Sequence, residues 1–253
     1  MSVARHELPS AIRRPLQANE RIDWHFHDRP QLVYPGRGVL QVFTQAGSWI
    51  VPPLRGVWIP PRVAHSHRAR GATELLSVGF AAGVDPFAER GPVVVEVSPL
   101  LREVVLTLTS GEEMQSAARR RLRQVALDQL RRLPVLPLRL PRPRDDRLLR
   151  IVEALSEDPS DRRTLAQLGR EVGASERTLS RVFRRETGMS FPQWRAQLRL
   201  QHAQLLLAGG ESVTNTAHAC GYRSASAFID AFRAAFGSTP GGRPSRGPGR
   251  GGR

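Results

Sequence analysis

Two stretches in the second half of the chain share one pattern: LAQLGREVGASERTLSRVFRRETG at residues 165–188 and VTNTAHACGYRSASAFIDAFRAAFG at residues 213–237. The second copy has one extra residue after its internal glycine. The matching positions are Gly169 with Ala217, Gly173 with Gly221, Leu179 with Phe228, Phe183 with Phe232, and Gly188 with Gly237. Repetition of small, glycine and aromatic positions predicts two copies of one structural unit.

The repeated positions fit two helices joined by a tight turn. Helices that cross closely need a small side chain at the contact, which Gly169 and Ala217 provide. The glycine four residues later allows the positive φ of a sharp reversal. Ser175 in the first copy, and Ser224 or Ser226 in the second, can cap the helix that follows. The repeat therefore predicts two helix-turn-helix units.

In each copy the second helix has an apolar face and an opposite, mainly polar face. The outer face comprises Arg177, Ser180, Arg181 and Arg184 in the first copy, and Ser226, Ile229, Asp230 and Arg233 in the second, with Ser224 at its start. A helix of this kind can enter the major groove of double-stranded DNA, where arginine donates two hydrogen bonds to guanine. Ordinary solvated faces are the alternative, but two matching copies favour DNA binding.

A single amphipathic helix is predicted between the copies, from Phe191 to Ala208. Its eighteen residues span roughly 27 Å at about 1.5 Å per residue. Successive major grooves on one face of B-DNA are roughly 34 Å apart. The two units could therefore occupy adjacent turns of one DNA face.

The segments TLSRVFRRETGMSFPQWRAQLRL (178–200) and GYRSASAFIDAFRAAFGSTP (221–240) resemble the DNA-binding domain of the AraC/XylS family of bacterial transcription regulators. The resemblance implies a regulator, most often an activator, with a homodimeric state and RNA polymerase as a further partner. It places the groove-reading positions at Arg177, Ser180, Arg181, Ser226, Ile229 and Asp230. Gly169 stands where alanine is usual in the family. Asp230 often corresponds to a basic or polar residue, so we expect less base-specific affinity from the second helix-turn-helix unit.

Residues 22–97 predict an antiparallel barrel or sandwich, because short β-branched and aromatic runs alternate with glycine and proline turns. The predicted strands are Gln31–Tyr34, Val39–Phe43, Trp49–Val51, Gly56–Ile59 and Leu75–Phe80. The expected fold class is thus an N-terminal all-β barrel followed by an all-α DNA-binding domain with two helix-turn-helix motifs.

The cupin resemblance rests on His25-Phe26-His27, Gln31 and the distal His65. In the cupin pattern two histidines, a carboxylate and a distal histidine hold a metal; here Gln31 replaces the carboxylate. We therefore consider a divalent metal on His25, His27 and His65, or a metal-free pocket for a small-molecule effector. The pocket residues would be His25, His27, Gln31, Trp49 and His65. A metal-dependent cupin enzyme with an accessory helical domain is a third alternative, disfavoured by the missing carboxylate and the fused DNA-binding segment.

Helices are predicted at Pro99–Thr109 and Glu112–Leu133, with apolar stripes that indicate a dimer interface or packing on their own barrel. The four prolines of Leu133–Arg144 predict a linker. The predicted domains are a cupin-like effector-sensing domain at 1–97, a helical dimerisation region and linker at 98–144, a double helix-turn-helix domain at 145–240, and a disordered basic tail at 241–253.

Composition permits these interpretations without selecting among them. The 253 residues carry a net charge of +15 and contain no lysine, so a nonspecific, charge-driven nucleic-acid binder is an alternative. Cys220 is the only cysteine, which predicts no intrachain disulfide and a reducing compartment. The N-terminal sequence has no apolar signal and the chain no long apolar run, so we expect a cytoplasmic protein without membrane association.

Overall fold

A computed structural model describes residues 3–88, 91–133, 135–136, 139–237 and 239–240. The chain divides into two compact units, Met1–Arg142 and Pro143–Arg253. The tail predicted to be disordered, 241–253, lies outside the described residues. Within the described residues, no helix combines the length and the apolar character needed to cross a membrane.

The first unit is built on a ten-stranded sheet in its described part. Its strands are β1 (Ala4–Arg5), β2 (Ala11–Leu16), β3 (Arg21–Phe26), β4 (Gln31–Thr44), β5 (Gly47–Val51), β6 (Arg55–Ile59), β7 (His65–Gly79), β8 (Val93–Glu96), β9 (Val135–Leu136) and β10 (Leu140–Pro141). β4 and β7 pair antiparallel along almost their whole length, from Gln31 opposite Gly79 to Thr44 opposite His65. The other strands add to this central ladder.

β4 is one strand where the sequence predicted two. The pairing with β7 shifts register around Arg37, and Gly38 has a φ of +75°. Glycine allows the chain to bulge and stay in the sheet, so the glycines that predicted a turn here mark an irregularity within one strand.

β1 and β2 lie before the predicted β-region. β2 pairs antiparallel with β7, and its arginines face solvent. Its sequence, AIRRPL, has neither the apolar run nor the clean alternation of a buried strand. Such a strand is recognised only by the partner that it pairs with.

Two helices, α1 (Pro99–Leu108) and α2 (Ser116–Leu130), complete the core of the first unit. Leu101, Val105 and Leu130 are fully buried in one cluster with Trp58 and Leu76 of the sheet. The apolar stripes therefore pack on their own sheet, as the second alternative held, and give no support for a dimer. The predicted start of the second helix at Glu112 is wrong, because the helix begins at Ser116.

The segment 133–144 is only partly a linker. Val135–Leu136 pairs with β8, and Leu140–Pro141 pairs with β5. Proline stops a helix but is tolerated in a short strand at a sheet edge. The prediction of a linker throughout this segment is therefore wrong, and the two units divide after Arg142.

The second unit is helical throughout its described part. Its helices are α3 (Asp146–Glu157), α4 (Leu165–Glu171), α5 (Glu176–Thr187), α6 (Phe191–Ala208), α7 (Val213–Ala219) and α8 (Ala225–Phe236). Thr164 and Ser190 form capping boxes at the starts of α4 and α6. The bounds of α6 are those predicted from the sequence. The predicted order, a sheet-rich first part and an all-α second part with two helix-turn-helix motifs, is confirmed.

We expect Leu101→Ala to destabilise the first unit by about 2–5 kcal/mol, because it empties a fully buried site between α1 and the sheet. Leu100→Ala is the matched control, since Leu100 is 52% exposed and should change stability by about 0.5 kcal/mol or less. Urea unfolding followed by tryptophan fluorescence measures both. Equal effects of the two substitutions would contradict the packing of α1 on its own sheet.

Candidate nucleic-acid interface and histidine pocket

The two helix-turn-helix units reverse at glycines in the left-handed region. Gly173 and Gly221 have φ of +70° and +73°, as the repeat predicted. Gly169 is also required, because a Cβ there would lie 2.5 Å from the carbonyl oxygen of Ala174. Its counterpart Ala217 is fully buried. These contacts fix α5 against α4 and α8 against α7.

Serine side chains cap the N-termini of α5 and α8, the second helix of each helix-turn-helix unit and hence its recognition helix. Ser175 Oγ accepts from the backbone N–H of Thr178 at 3.3 Å, and Ser224 Oγ accepts from that of Ala227 at 3.2 Å. Of the two candidate caps in the second copy, Ser224 is the cap, and Ser226 is an exposed residue of the helix. The capping position thus sets where each helix begins, and hence which side chains face outward.

The predicted apolar faces of α5 and α8 are buried. Leu179, Val182 and Phe183 are buried on α5, and Phe228 and Phe232 are buried on α8. The α8 rings pack in series, with 5.6 Å between the centroids of Phe228 and Phe232. Each recognition helix is therefore fixed in rotation by an apolar face that cannot turn outward.

The outer faces differ in charge. All four predicted residues of α5 (Arg177, Ser180, Arg181 and Arg184) are exposed. On α8, Asp230 and Arg233 form an exposed ion pair at 2.8 Å, and Ile229 is half-buried. The first outer face is strongly basic, whereas the paired charges of the second largely neutralise each other.

The first unit gathers five histidines around one point. His25 lies on β3 opposite His65 on β7, with His27 just past the end of β3. Ring centroids are 4.3 Å apart for His25 and His65, and 4.9 Å for His25 and His27. His67 and His6 adjoin them. One nitrogen each of His25, His27 and His65 lies within 4.8 Å of the others, a cluster that could hold a metal ion.

Backbone carbonyls fix the tautomers of these rings. Nδ1 of His25 lies 2.7 Å from Asp23 O, and Nδ1 of His65 lies 2.8 Å from Val63 O. Nδ1 of His27 makes a similar bond to the carbonyl oxygen of His6. A carbonyl oxygen only accepts, so each Nδ1 donates its proton and each Nε2 keeps a lone pair.

Burial keeps these rings neutral. Loss of hydration lowers the pKa of His25 to about 4 and that of His65 to about 3. It also lowers the pKa of His27 and, further, that of His67. At neutral pH the cluster is a set of uncharged imidazoles that offer lone pairs.

Gln31 uses one of those lone pairs. Its Nε2 donates to His65 Nε2 at 2.8 Å, and its Oε1 accepts from Ser77 Oγ at 3.0 Å. A metal bound by all three histidines would have to displace the first of these bonds. The amide that replaces the cupin carboxylate thus opposes a three-histidine metal centre and favours a pocket without metal.

A cavity of about 520 Å³ opens beside this cluster. Its lining combines polar groups of His25, His27, Gln31 and His67 with apolar side chains such as Ile12 and Leu75. The segment 5–9, which lies before the predicted β-region, forms part of the wall. Its only sequence signal is Leu8, a lone apolar residue among polar ones.

Two predicted pocket residues do not line this cavity. Trp49 is buried on β5 with 2% of its surface exposed, where it forms part of the sheet's core. His65 lies behind Gln31, to which it is hydrogen-bonded. Trp49 therefore lies outside the lining of this cavity, and His65 belongs to the histidine cluster without forming the wall.

Residues 168–242 match a family model described as a helix-turn-helix domain. Over 222 residues the chain is 36% identical to the HTH-type transcriptional regulator NimR of Escherichia coli (strain K12), a match that covers 86% of this chain and 80% of that protein. The chain belongs to the AraC family of transcription regulators.

Other relatives match a shorter part of the chain. RipA of Corynebacterium glutamicum, also an HTH-type transcriptional regulator, is 38% identical over 109 residues, 43% of this chain and 32% of that protein. The structure of the AdpA DNA-binding domain with a target DNA is 33% identical, covers 36% of this chain and 84% of that one, and has a TM-score of 0.35. NimR and RipA are both named as transcriptional regulators, which favours a regulator over the cupin-enzyme alternative.

We expect the stability of the first unit to fall as the pH drops from about 6.5 to about 4. In that window the unfolded histidines, with a pKa of about 6.5, bind protons that the buried rings exclude. The slope is at most about 1.4 kcal/mol per pH unit and per histidine. Urea unfolding at several pH values, with a chelator present, measures it.

Two variants sharpen this measurement. His65→Gln removes a buried ring and should flatten the slope, whereas His218→Gln on α7 removes an exposed one and should leave it unchanged. A slope that persists in His65→Gln would mean that other groups cause the acid sensitivity.

Proposed function

We propose that the regulator reads a two-part operator in double-stranded DNA by placing α5 and α8 in successive major grooves. The observation that carries the proposal is the pair of recognition helices, each held by the same turn and each with its outer face exposed. The DNA-contacting residues would be Arg177, Ser180, Arg181 and Arg184 of the first unit, and Ser224, Ser226, Ile229, Asp230 and Arg233 of the second.

The two parts of the operator would contribute unequally. Among the described residues Arg177 and Arg181 form no ion pair of the kind that engages Arg233, and arginine suits bidentate contact with guanine. Arg233 is held by Asp230 at 2.8 Å, so each would have to leave the other to contact a base or phosphate. The first helix-turn-helix unit would therefore supply most of the base-specific contacts. The second helix-turn-helix unit would mainly fix the position of the protein on the DNA backbone.

Selection of bound DNA from a random pool, at fixed salt, tests this proposal. We expect the wild type to enrich a two-part motif. Arg181→Ala should lose about 1–3 kcal/mol on that motif and relax the base preference in one part only.

Arg185→Ala is the control for charge. Arg185 is exposed on the same helix and pairs with Glu186, so its loss removes one positive charge outside the proposed reading face. It should weaken binding slightly on every sequence and leave the motif intact. A wild type that enriches no motif would leave a charge-driven binder in place of a sequence reader.

For the histidine pocket we propose a small-molecule effector that controls the regulator by shifting its conformational population. The cavity of about 520 Å³ falls within the size range of ligand sites, roughly 300–1,000 Å³. The free Nε2 lone pairs of His25 and His27 would accept hydrogen bonds, which favours an effector with N–H or O–H donors.

A divalent metal on His25, His27 and His65 is the second candidate for this site, supported by their mutual distances and neutral state. His25 and His27 would supply nitrogen ligands directly, and His65 only after losing its bond to Gln31. A homodimer, contact with RNA polymerase, action as an activator and a cytoplasmic location stay predictions from the family resemblance and the sequence.

We expect Gln31→Glu to raise the affinity for Zn²⁺ on the order of tenfold, since a carboxylate binds the metal and no longer donates to His65. Isothermal titration calorimetry of the metal-free protein measures it. Gln41→Glu, the same change elsewhere on β4, is the control and should have no effect. Tight binding of Zn²⁺ by the wild type, unchanged in Gln31→Glu, would support the metal and contradict the blocking role of Gln31.

A further inference from the structure

One side chain on the connecting helix joins the two helix-turn-helix units. Arg199 lies on α6, and its Nε donates to the carbonyl oxygen of Pro159 at 3.0 Å. Its Nη2 donates to the carbonyl oxygen of Asp161 at 2.8 Å. The guanidinium thus binds two carbonyls of the loop that precedes α4.

The same guanidinium packs against the turn between α7 and α8, in the second helix-turn-helix unit. A Cβ at Gly221 would lie 2.8 Å from Arg199 Nη2 and 2.9 Å from the carbonyl oxygen of Ser160. The turn before α8, the loop before α4 and the guanidinium are therefore in direct contact. Glycine is required at position 221 both for its φ of +73° and for this close approach.

The loop is itself bound to the first helix-turn-helix unit, formed by α4 and α5. Arg163 forms ion pairs with Asp161 and with Glu171 of α4, both at 2.6 Å. Asp158 accepts hydrogen bonds from the backbone N–H and the hydroxyl of Ser160. A displacement of this loop would therefore carry α4, and with it α5.

The backbone that joins α6 to the second helix-turn-helix unit contains two glycines. They are Gly209 and Gly210, and Gly210 has a φ of +89°. Two glycines in succession allow the backbone to change direction at little cost. α7 packs on α6, and Arg199 adds a polar contact that ties this side of the joint to the loop before α4.

We propose that Arg199 is a positioning residue that sets the separation between α5 and α8, so that the regulator discriminates the spacing of the two parts of its operator. The planar guanidinium suits this role because its donors are fixed in one plane and reach two carbonyls at once. The inference rests on the proposed two-part reading of DNA.

The test uses the full chain and the operator selected above, with base pairs inserted or deleted between its two parts. Fluorescence anisotropy gives Kd for each spacing. We expect the wild type to bind the natural spacing about tenfold or more tightly than spacings changed by one or two base pairs, because the second unit then loses its contacts. In Arg199→Ala that ratio should fall below about threefold.

Arg195→Ala is the matched control. Arg195 lies one turn earlier on α6, and its Nη2 donates to the carbonyl oxygen of Arg163, so it binds the same loop away from Gly221. Its loss should reduce stability while the spacing ratio stays that of the wild type. Arg199→Lys keeps the charge without the planar fork, and we expect it to show the reduced ratio as well.

Each outcome bears on the proposal. An Arg199→Ala variant that weakens binding equally at every spacing would overturn it and leave Arg199 with a purely structural role. If circular dichroism shows that Arg199→Ala does not fold, the ratio of Arg199→Lys decides, and a wild-type ratio there would overturn the proposal. A wild type that selects no two-part site would overturn the proposed function as well, whereas a two-part site with an unchanged ratio overturns only the role of Arg199.

Discussion

The antiparallel pairing of β4 with β7 is the interaction on which the first unit depends. It buries most of both long strands. Gln31 pairs with Gly79 and Val33 pairs with Ser77, so Gln31 and Ser77 are two register positions apart. β3 pairs with the other end of β7 and brings His25 opposite His65. A shift of this ladder by one residue would turn His65 to the opposite face, so the pocket exists only in this register.

The pocket shows how a metal-site pattern can change its chemistry through one residue. The histidines keep the features of metal ligands, since their Nδ1 atoms donate to backbone carbonyls and burial holds them neutral. Gln31 supplies a donor where a carboxylate would supply an acceptor, and this donor occupies Nε2 of His65. Under the proposed function, this single amide would shift the preference of the cluster from a cation towards a molecule with hydrogen-bond donors.

The two helix-turn-helix units share one frame but differ in surface chemistry. Turn glycines, serine caps and buried aromatic rings fix how each recognition helix lies, and these features recur in both. The outer faces are under no such constraint, and they diverge into a basic face on α5 and an internally paired face on α8. Arg199 contacts both the loop before α4 and the turn at Gly221, and in our proposal this contact sets the separation of the two helices on DNA.

The sequence by itself determined most of the helical unit: the two turns, the cap at Ser175, the apolar inner faces and the bounds of α6. These depend on local requirements, a positive φ at Gly173, a hydroxyl at Ser175 and an apolar stripe at helical spacing, which neighbouring residues express directly. It also singled out His25, His27, Gln31 and His65 as a cluster.

Only the tertiary structure decided the features that depend on partners distant in the chain. β2 and the paired residues of 133–144 are strands because a sheet edge accepts them. Trp49 belongs to the core and not to the cavity because of the side of the sheet on which it packs. The bond between Gln31 and His65, and the contact of Arg199 with Gly221, join residues whose proximity no local pattern encodes, since each arises from the packing of separate elements.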